Sequence, residues 1–501
     1  MHVNGLMKCK ECNMRSIIVA SNSSGGGKTT IAVGLMRALI KMGYEVQGYK
    51  VGPDYIDPAF HGVITKKPSR NLDLFLMGKQ GVLEAYSRGQ CTLGVVEGVM
   101  GLYDGKGIDS QYSTAHVAKV LNLPVILVLS PKAQSATLAA ELQGMINYCD
   151  EHVKDSQIKG VILNNISGAY YKLLKTIIEK ATSLKVYGYI PKDEALALES
   201  RHLGLVQASE IEDLEKKIEL CSEYIRENVD MEALIKDFSK ESNEGTRGTE
   251  QNSEQSFINS SSNFFNHGSS LECKVNDNKD KFTMDNHNLK IGVARDKAFS
   301  FYYKENLELL AQTGEIVYFS PLKDKEIPED LDFLYIGGGY PEVFVEELSK
   351  NKSMINSIKK ALEEGLPCYA ECGGLMYLTE GIIPFDKDSK YDTVGFFKGH
   401  SYLTKTLQNF GYAKIKVEKE NPLIKLGTSI HCHEFHKSKV KVEEKEVYTL
   451  EKTTYTNEVK QWNCGYVKKN TLGAYGHVHF FNNIDFLQQL INKAIEYKKK
   501  K

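Results

Sequence analysis

An α/β fold in two domains is what this sequence predicts, and three observations carry the prediction. A glycine-rich string, SSGGGKTT at 23–30, stands between an apolar run at 16–20 and an amphipathic stretch at 31–40. Strand-length apolar runs alternate with helical periodicity from Arg15 to about Lys192, and the alternation resumes at Leu289. Such alternation implies largely parallel sheets with helices on both faces. Between the two blocks, residues 240–288 are rich in Ser, Asn, Glu and Lys. That composition cannot repay its ordering entropy, so a flexible linker is expected there. The expected organisation is a leader over 1–14, a first domain over 15–239, the linker over 240–288 and a second domain over 289–495.

In the first domain the strand at 16–20 runs into a loop whose backbone N–H groups and following helix N-terminus can face phosphates. Gly25, Gly26 and Gly27 allow close approach, Lys28 reaches the outer phosphates, the Thr29 hydroxyl suits Mg²⁺, and Thr30 completes the loop. The usual pattern has Gly where this chain has Asn22, so the loop is a variant. It predicts ATP or a related triphosphate as the energy source. The runs 46–51, 93–96, 124–129, 160–163 and 186–190 read as buried strands, and a charged helical stretch follows to about 238.

In the second domain, strands are expected at 289–294, 316–319 and 333–336, with a helix from about Tyr302. The third strand ends in Gly337-Gly338-Gly339, either a tight turn or a source of free amides, with Gly338 and Gly339 placed to hold an oxyanion. A short strand at 367–371 then leads into Cys372 and a helix, the arrangement that exposes a nucleophile on a sharp turn. A helix N-terminus favours the thiolate. Cys368, inside the strand, reads as a small buried hydrophobe. The base is sought in GAYGHVHF at 473–480, where alternation sets His477 and His479 on one strand face, His477 as base and His479 as its orienting neighbour.

Composition narrows the classes. A chain of 501 residues with 42% hydrophobic content can bury two cores, and a net charge of −1 argues against a nucleic-acid partner. No apolar run reaches the length of about 18 residues that a membrane helix needs, and the N-terminus lacks a signal segment. Ten cysteines without regular spacing suit a reducing cytoplasm. Cys9 and Cys12 form one CxxC without a second, so a metal role is not expected. His431, His433 and His436 cluster in HCHEFHKS, which is not the HExxH of a zinc protease, and a substrate-pocket role is preferred.

The motifs KVGPDYIDPAFH at 50–61, VEGVMGLYDG at 96–105, RHLGL at 201–205, GGGYPE at 337–342, AECGGLMYL at 370–378, HEFHKS at 433–438 and AYGHVHF at 474–480 together make the chain similar to the cobyrinic acid a,c-diamide synthases. The resemblance implies an N-terminal P-loop, doubly wound parallel-sheet domain of the dethiobiotin synthetase type, and a C-terminal class I glutamine amidotransferase-like domain. It implies a glutamine-dependent ligase that amidates a polycarboxylate tetrapyrrole through acyl phosphates, with Mg²⁺ and ATP. It implies Asp54 and Glu97 beside Thr29 as magnesium ligands, Asn164 as an adenine contact, and Tyr55, Ile56, Asp104, Arg201, His433 and His436 as substrate contacts. The family lacks the Glu two residues after the catalytic His, and His479 stands there. Open alternatives are hydrogenobyrinic acid or nickel sirohydrochlorin as acceptor, and a non-enzymatic P-loop regulator with an inactive glutaminase-like domain. Oligomeric state is left open.

Overall fold

The computed structural model describes residues 15–89, 91–196, 208–238, 282–385 and 389–501. The leader with Cys9 and Cys12, the RHLGL motif with Arg201, and most of the expected linker lie outside the described residues.

The first domain is built on β1 (Arg15–Ser21), β2 (Val46–Val51), β3 (Arg70–Leu72), β4 (Leu93–Glu97), β5 (Val125–Leu129), β6 (Ile158–Ile166) and β7 (Lys185–Pro191). They form one sheet in the order β3-β2-β4-β1-β5-β6-β7, with every pair parallel. Helices cover both faces, so the central strands read as continuous apolar runs; Ile18, Val19 and Ala20 of β1 are all buried. The order reverses beside β1, and helix α1 (Lys28–Lys41) begins there. A reversal of this kind opens a crevice at the carboxyl ends of the strands. Helices α2 (Ile56–Thr65) and α3 (Leu74–Ser87) follow β2 and β3.

The second domain opens with β8 (Leu289–Ala294), β9 (Phe299–Phe301), β10 (Gly314–Phe319), β11 (Phe333–Ile336), β12 (Gly338–Gly339) and β13 (Cys368–Glu371). The helix placed from about Tyr302 starts at Lys304, because β9 takes the preceding residues to pair with β12. After β13 come β14 (Gly381–Ile383), β15 (Tyr391–Asp392), β16 (Gly399–Val417), β17 (Ser429–Val442), β18 (Glu446–Thr453), β19 (Val459–Lys468), β20 (Thr471–Ala474) and β21 (His477–Val478). The parallel strands β10-β8-β11-β13-β20 continue into an antiparallel β19-β18-β16 extension, and β17 pairs with both β16 and β21. β20 thus brings the C-terminal segment beside β13, the strand that ends at the thiol.

Of residues 282–288, expected to belong to the linker, one end is held against the second domain. Phe282 is buried against Phe481 with ring centroids 4.6 Å apart, and the Met284 amide donates to Gln312 Oε1 at 2.7 Å. An aromatic side chain at the end of a polar stretch is enough to bind that end to a core.

The two domains meet over a mixed apolar and ionic interface. Arg70, at the start of β3, is buried; it donates to Glu305 Oε1 at 2.7 Å and to both oxygens of Glu308 at 2.7 and 3.1 Å. Arg88 joins Glu308 at 3.0 Å and lies over the Phe481 ring. Asp73 caps α3 by accepting from the Phe75 and Leu76 amides, and its second oxygen accepts from the Tyr412 hydroxyl at 2.7 Å. Removing one member of a buried charge group strands the others, at a cost of about 3–5 kcal/mol. Arg70→Ala is therefore expected to lower unfolding stability by roughly 3 kcal/mol, and urea denaturation of the full chain measures it; a loss below ~0.5 kcal/mol would mean that Glu305 and Glu308 are solvated once Arg70 is gone.

Candidate active site

The phosphate loop joins β1 to α1. Gly27 has φ 90°, in the left-handed region, and a Cβ there would come within 2.1 Å of Asn164 Nδ2. Glycine is required on both counts. The loop is tied down from below: Ser130 Oγ donates to the Gly26 carbonyl at 3.1 Å, and Asn164 Nδ2 to the same oxygen at 3.3 Å. Asn164, expected at the adenine, is thus bonded to the loop backbone. Lys28 Nζ donates to the Ser23 carbonyl at 2.9 Å. Burial and the neighbouring Lys50 charge lower the Lys28 pKa, against the pull of Glu97, Asp104 and Asp57.

Glu97, the last residue of β4, is fully buried and is the hub of this site. Its Oε1 accepts from Thr29 Oγ1 at 2.6 Å and from Lys50 Nζ at 3.0 Å, and its Oε2 pairs with His61 Nε2 at 2.8 Å. Burial by itself would favour the neutral acid, but Lys50 and the hydrogen bonds from His61 and Thr29 hold the carboxyl well below the usual range. Lys50 also reaches Asp57 Oδ2 at 2.6 Å. Burial and the adjacent Glu97 charge push Asp57 up to about 8, against the pull of Lys50. Lys50, Asp57 and His61 lie inside the KVGPDYIDPAFH motif, yet sequence pattern alone does not distinguish them from helix-flanking charges.

Asp54 Oδ1 accepts from the Ile56 amide at 2.7 Å, so the carboxylate also serves the start of α2, where Ile56 is the first residue. Asp104 Oδ2 accepts from the Gly101 amide at 2.8 Å and closes the 101–104 turn near Lys28. Tyr55 is not directed to solvent. Its ring stacks on Phe301, with centroids 4.8 Å and planes 7° apart.

In the second domain Cys372 is the residue before a short helix, Gly373–Leu378, with φ 49° and ψ −100°. A side chain in such a conformation stores about 1–3 kcal/mol of strain, as a nucleophile on a tight turn does. Cys368 is buried in β13, as expected of a packing residue. Gly338 lies against the base, since a Cβ there would come within 2.4 Å of His477 Cε1, and Gly339 lies against Gly373. The Gly337 amide is bonded to the Tyr302 hydroxyl and the Tyr340 amide to the Ala298 carbonyl, while Gly338 and Gly339 stand opposite Phe301 and Phe299 in the β12–β9 pair.

His477 is buried beside Cys372 and Glu371. Burial would lower its pKa, but Cys372 and Glu371 outweigh it and push the imidazole up to about 10. Glu371 stands behind it: Oε2 lies 3.6 Å from His477 Nδ1, while the Tyr335 and Tyr369 hydroxyls and the Val478 amide hold the carboxylate at 3.0, 2.8 and 3.2 Å.

The orienting role expected of His479 is not what the geometry gives. β21 ends at Val478, and His479 turns away to pair with Glu305 at 3.5 Å, in the interdomain ion group. Glu371 takes the expected place, and sequence reasoning missed it because it sits beside the nucleophile and far from the base. His433 pairs with His477 across β17 and β21, and burial together with the His477 charge pushes it down to about 3, so it is neutral. His436 stacks on Tyr475 at 3.7 Å and pairs with Glu434 at 3.2 Å. Both histidines lie on β17; Arg201 lies outside the described residues.

Two family models match the chain: a CobQ/CobB/MinD/ParA nucleotide binding domain over 17–206, and a CobB/CobQ-like glutamine amidotransferase domain over 290–484. The cobyrinate a,c-diamide synthase of Clostridium tetani is 59% identical over 480 residues, covering 96% of this chain and 100% of that protein. That of Clostridium acetobutylicum is 55% identical over 95% of this chain and 100% of its own length. That of Listeria innocua is 41% identical over 95% of this chain and 99% of its own.

His477 is raised far above the unfolded value of about 6.5, so the stability its charge confers is complete below that pH and is lost as pH rises through about 10. Glu371→Gln removes one of the two charges holding it. The loss of stability should then begin at lower pH, which denaturation midpoints of the two proteins between pH 6 and 11 measure; superimposable profiles would remove Glu371 from the pair.

Proposed function

The chain belongs to the cobyrinate a,c-diamide synthase family, ATP-dependent, glutamine-hydrolysing amide ligases of cobalamin biosynthesis, and from that premise we propose which residues carry each step. The observation that carries the proposal is that a phosphate loop bonded to an ionised buried Glu97 and a buried Cys372–His477–Glu371 group occur in one chain, joined where Tyr55 meets His477.

In the glutaminase half, the Cys372 thiolate attacks the side-chain amide carbon of glutamine. The oxyanion is held by backbone amides at Gly338 and Gly339, and His477 gives its proton to the departing nitrogen. Ammonia leaves and a glutamyl thioester remains, which water hydrolyses with His477 now acting as base. Glu371 orients the imidazole. In the synthetase half, a substrate carboxylate takes the terminal phosphoryl group of ATP, giving an acyl phosphate and ADP. Ammonia then displaces phosphate to form the amide. Lys28 and the loop amides hold the phosphates; Lys50 and His61 keep Glu97 ionised.

Thr29, Glu97 and Asp54 offer only oxygen donors, and Thr29 Oγ1 and Glu97 Oε1 are 2.6 Å apart, which suits a hard cation. Mg²⁺ bound there would neutralise charge on the transferring phosphates. The acceptor pocket is assigned to Tyr55, Ile56 and Asp104 with Arg201, and His433 and His436 to the glutaminase side. The domains are read as 15–239 and 289–495. Seven cysteines among the described residues are free thiols, which supports a reducing, cytoplasmic setting. No helix among the described residues is long and apolar enough to cross a membrane.

Cys372→Ser is expected to abolish glutamine-driven amidation while ammonia-driven amidation persists, since only ammonia release needs the thiolate. Glutamine-driven turnover in that variant would move the nucleophile elsewhere. Lys28→Ala and Glu97→Gln are expected to cut both routes by at least ~100-fold, because both routes share the acyl phosphate; mass spectrometry of products from cobyrinic acid, hydrogenobyrinic acid and nickel sirohydrochlorin reads both the rate and the acceptor, with the a,c-diamide of cobyrinic acid expected. A near-normal ammonia-driven rate in either variant would remove that residue from the phosphate site.

A further inference from the structure

Tyr55 belongs to the first domain, one residue after Asp54, yet its ring lies among residues of the second. Besides its stacking on Phe301 it packs on Tyr303 at 4.8 Å, and it meets the His477 imidazole at 5.3 Å with planes inclined by 52°. Its hydroxyl is buried. The imidazole Nδ1 is buried and stands 3.6 Å from Glu371 Oε2, beyond hydrogen-bond length. Catalytic hydrogen bonds are often long before substrate binds and tighten afterwards. The base is therefore in contact with the ring from the other domain while its own carboxylate is not fully engaged.

The segment carrying Tyr55 is anchored to the synthetase site at both ends. Asn71 Nδ2 donates to the Gly52 and Asp54 carbonyls at 2.8 and 2.7 Å, and Asp57 is bonded to Lys50, which is bonded to Glu97. A displacement of Asp54 or Asp57 moves the ring between them. Close-packed rings shift together rather than yield.

We propose that Tyr55 is the positioning residue through which the synthetase site governs glutamine hydrolysis: the 52–57 segment, displaced when ATP and acceptor occupy their site, lets the His477 imidazole close on Glu371. This deepens the proposed function and rests on it, since it takes His477 as the glutaminase base and 52–57 as part of the synthetase site.

The test measures glutamate release by the full chain with glutamine alone and with MgATP and cobyrinic acid added, and ammonia-driven amidation beside it. MgATP with cobyrinic acid is expected to stimulate glutamate release by ~5-fold or more, the lower end of coupling between sites. Tyr55→Phe keeps the ring and should keep the stimulation. Tyr55→Leu and Phe301→Leu, from the two sides of the contact, should bring the ratio close to 1, with ammonia-driven amidation in Phe301→Leu unchanged. No stimulation in the unaltered chain, or stimulation that survives both leucine variants, overturns the proposal. An unaltered chain that hydrolyses glutamine yet makes no amide from ammonia overturns the proposed function, and this proposal with it.

Discussion

The buried guanidinium of Arg70 ties the two domains together, and the placement of one site relative to the other depends on that contact. Its two carboxylate partners lie on one helix of the second domain, Glu305 and Glu308 one turn apart, so a single side chain sets both position and rotation. Against a well-packed apolar alternative such a group adds little stability, because the desolvation of three charges offsets most of their attraction. What it contributes is geometry. Glu305 also faces His479, two residues beyond His477, so the docking contact and the 477–479 segment are parts of one buried network.

The two sites solve opposite electrostatic problems with the same device, a buried carboxylate satisfied from several directions. Glu97 must stay ionised in a dry environment beside phosphates, and Lys50, Thr29 and His61 surround it. Glu371 must favour a charged imidazole, and two tyrosine hydroxyls and an amide hold it while leaving one oxygen toward His477. Hydrogen bonds to ionised acceptors are about twice as strong as neutral ones, which is how such carboxylates persist without solvent. The neutral His433 beside His477 adds no second positive charge to the pair.

Ammonia released from glutamine is useful only while unprotonated, and the acyl phosphate it must meet is sensitive to water. Both facts favour a chain in which the two half-reactions share an apolar contact. The aromatic group of Tyr55, Phe301 and Tyr303 between them is consistent with that requirement.

What the sequence determined by itself was local: the strand–loop–helix of residues 15–41, the thiol on its sharp turn, and the alternating strands of two parallel sheets. These follow from periodicity, glycine content and chain connectivity over a few residues, so they are legible without partners. The tertiary structure decided what depends on distant segments meeting. Glu371, not His479, stands behind His477 because β20 places residue 477 beside the end of β13, and strand pairing cannot be counted from alternation. Lys50 and His61 became the partners of Glu97 because β2 and β4 are neighbours in the sheet. Tyr55 reached His477 because the two domains dock through distant residues such as Arg70 and Asp73. Local pattern fixes which way a side chain leaves its own strand or helix; what it meets there depends on long-range burial and charge pairing.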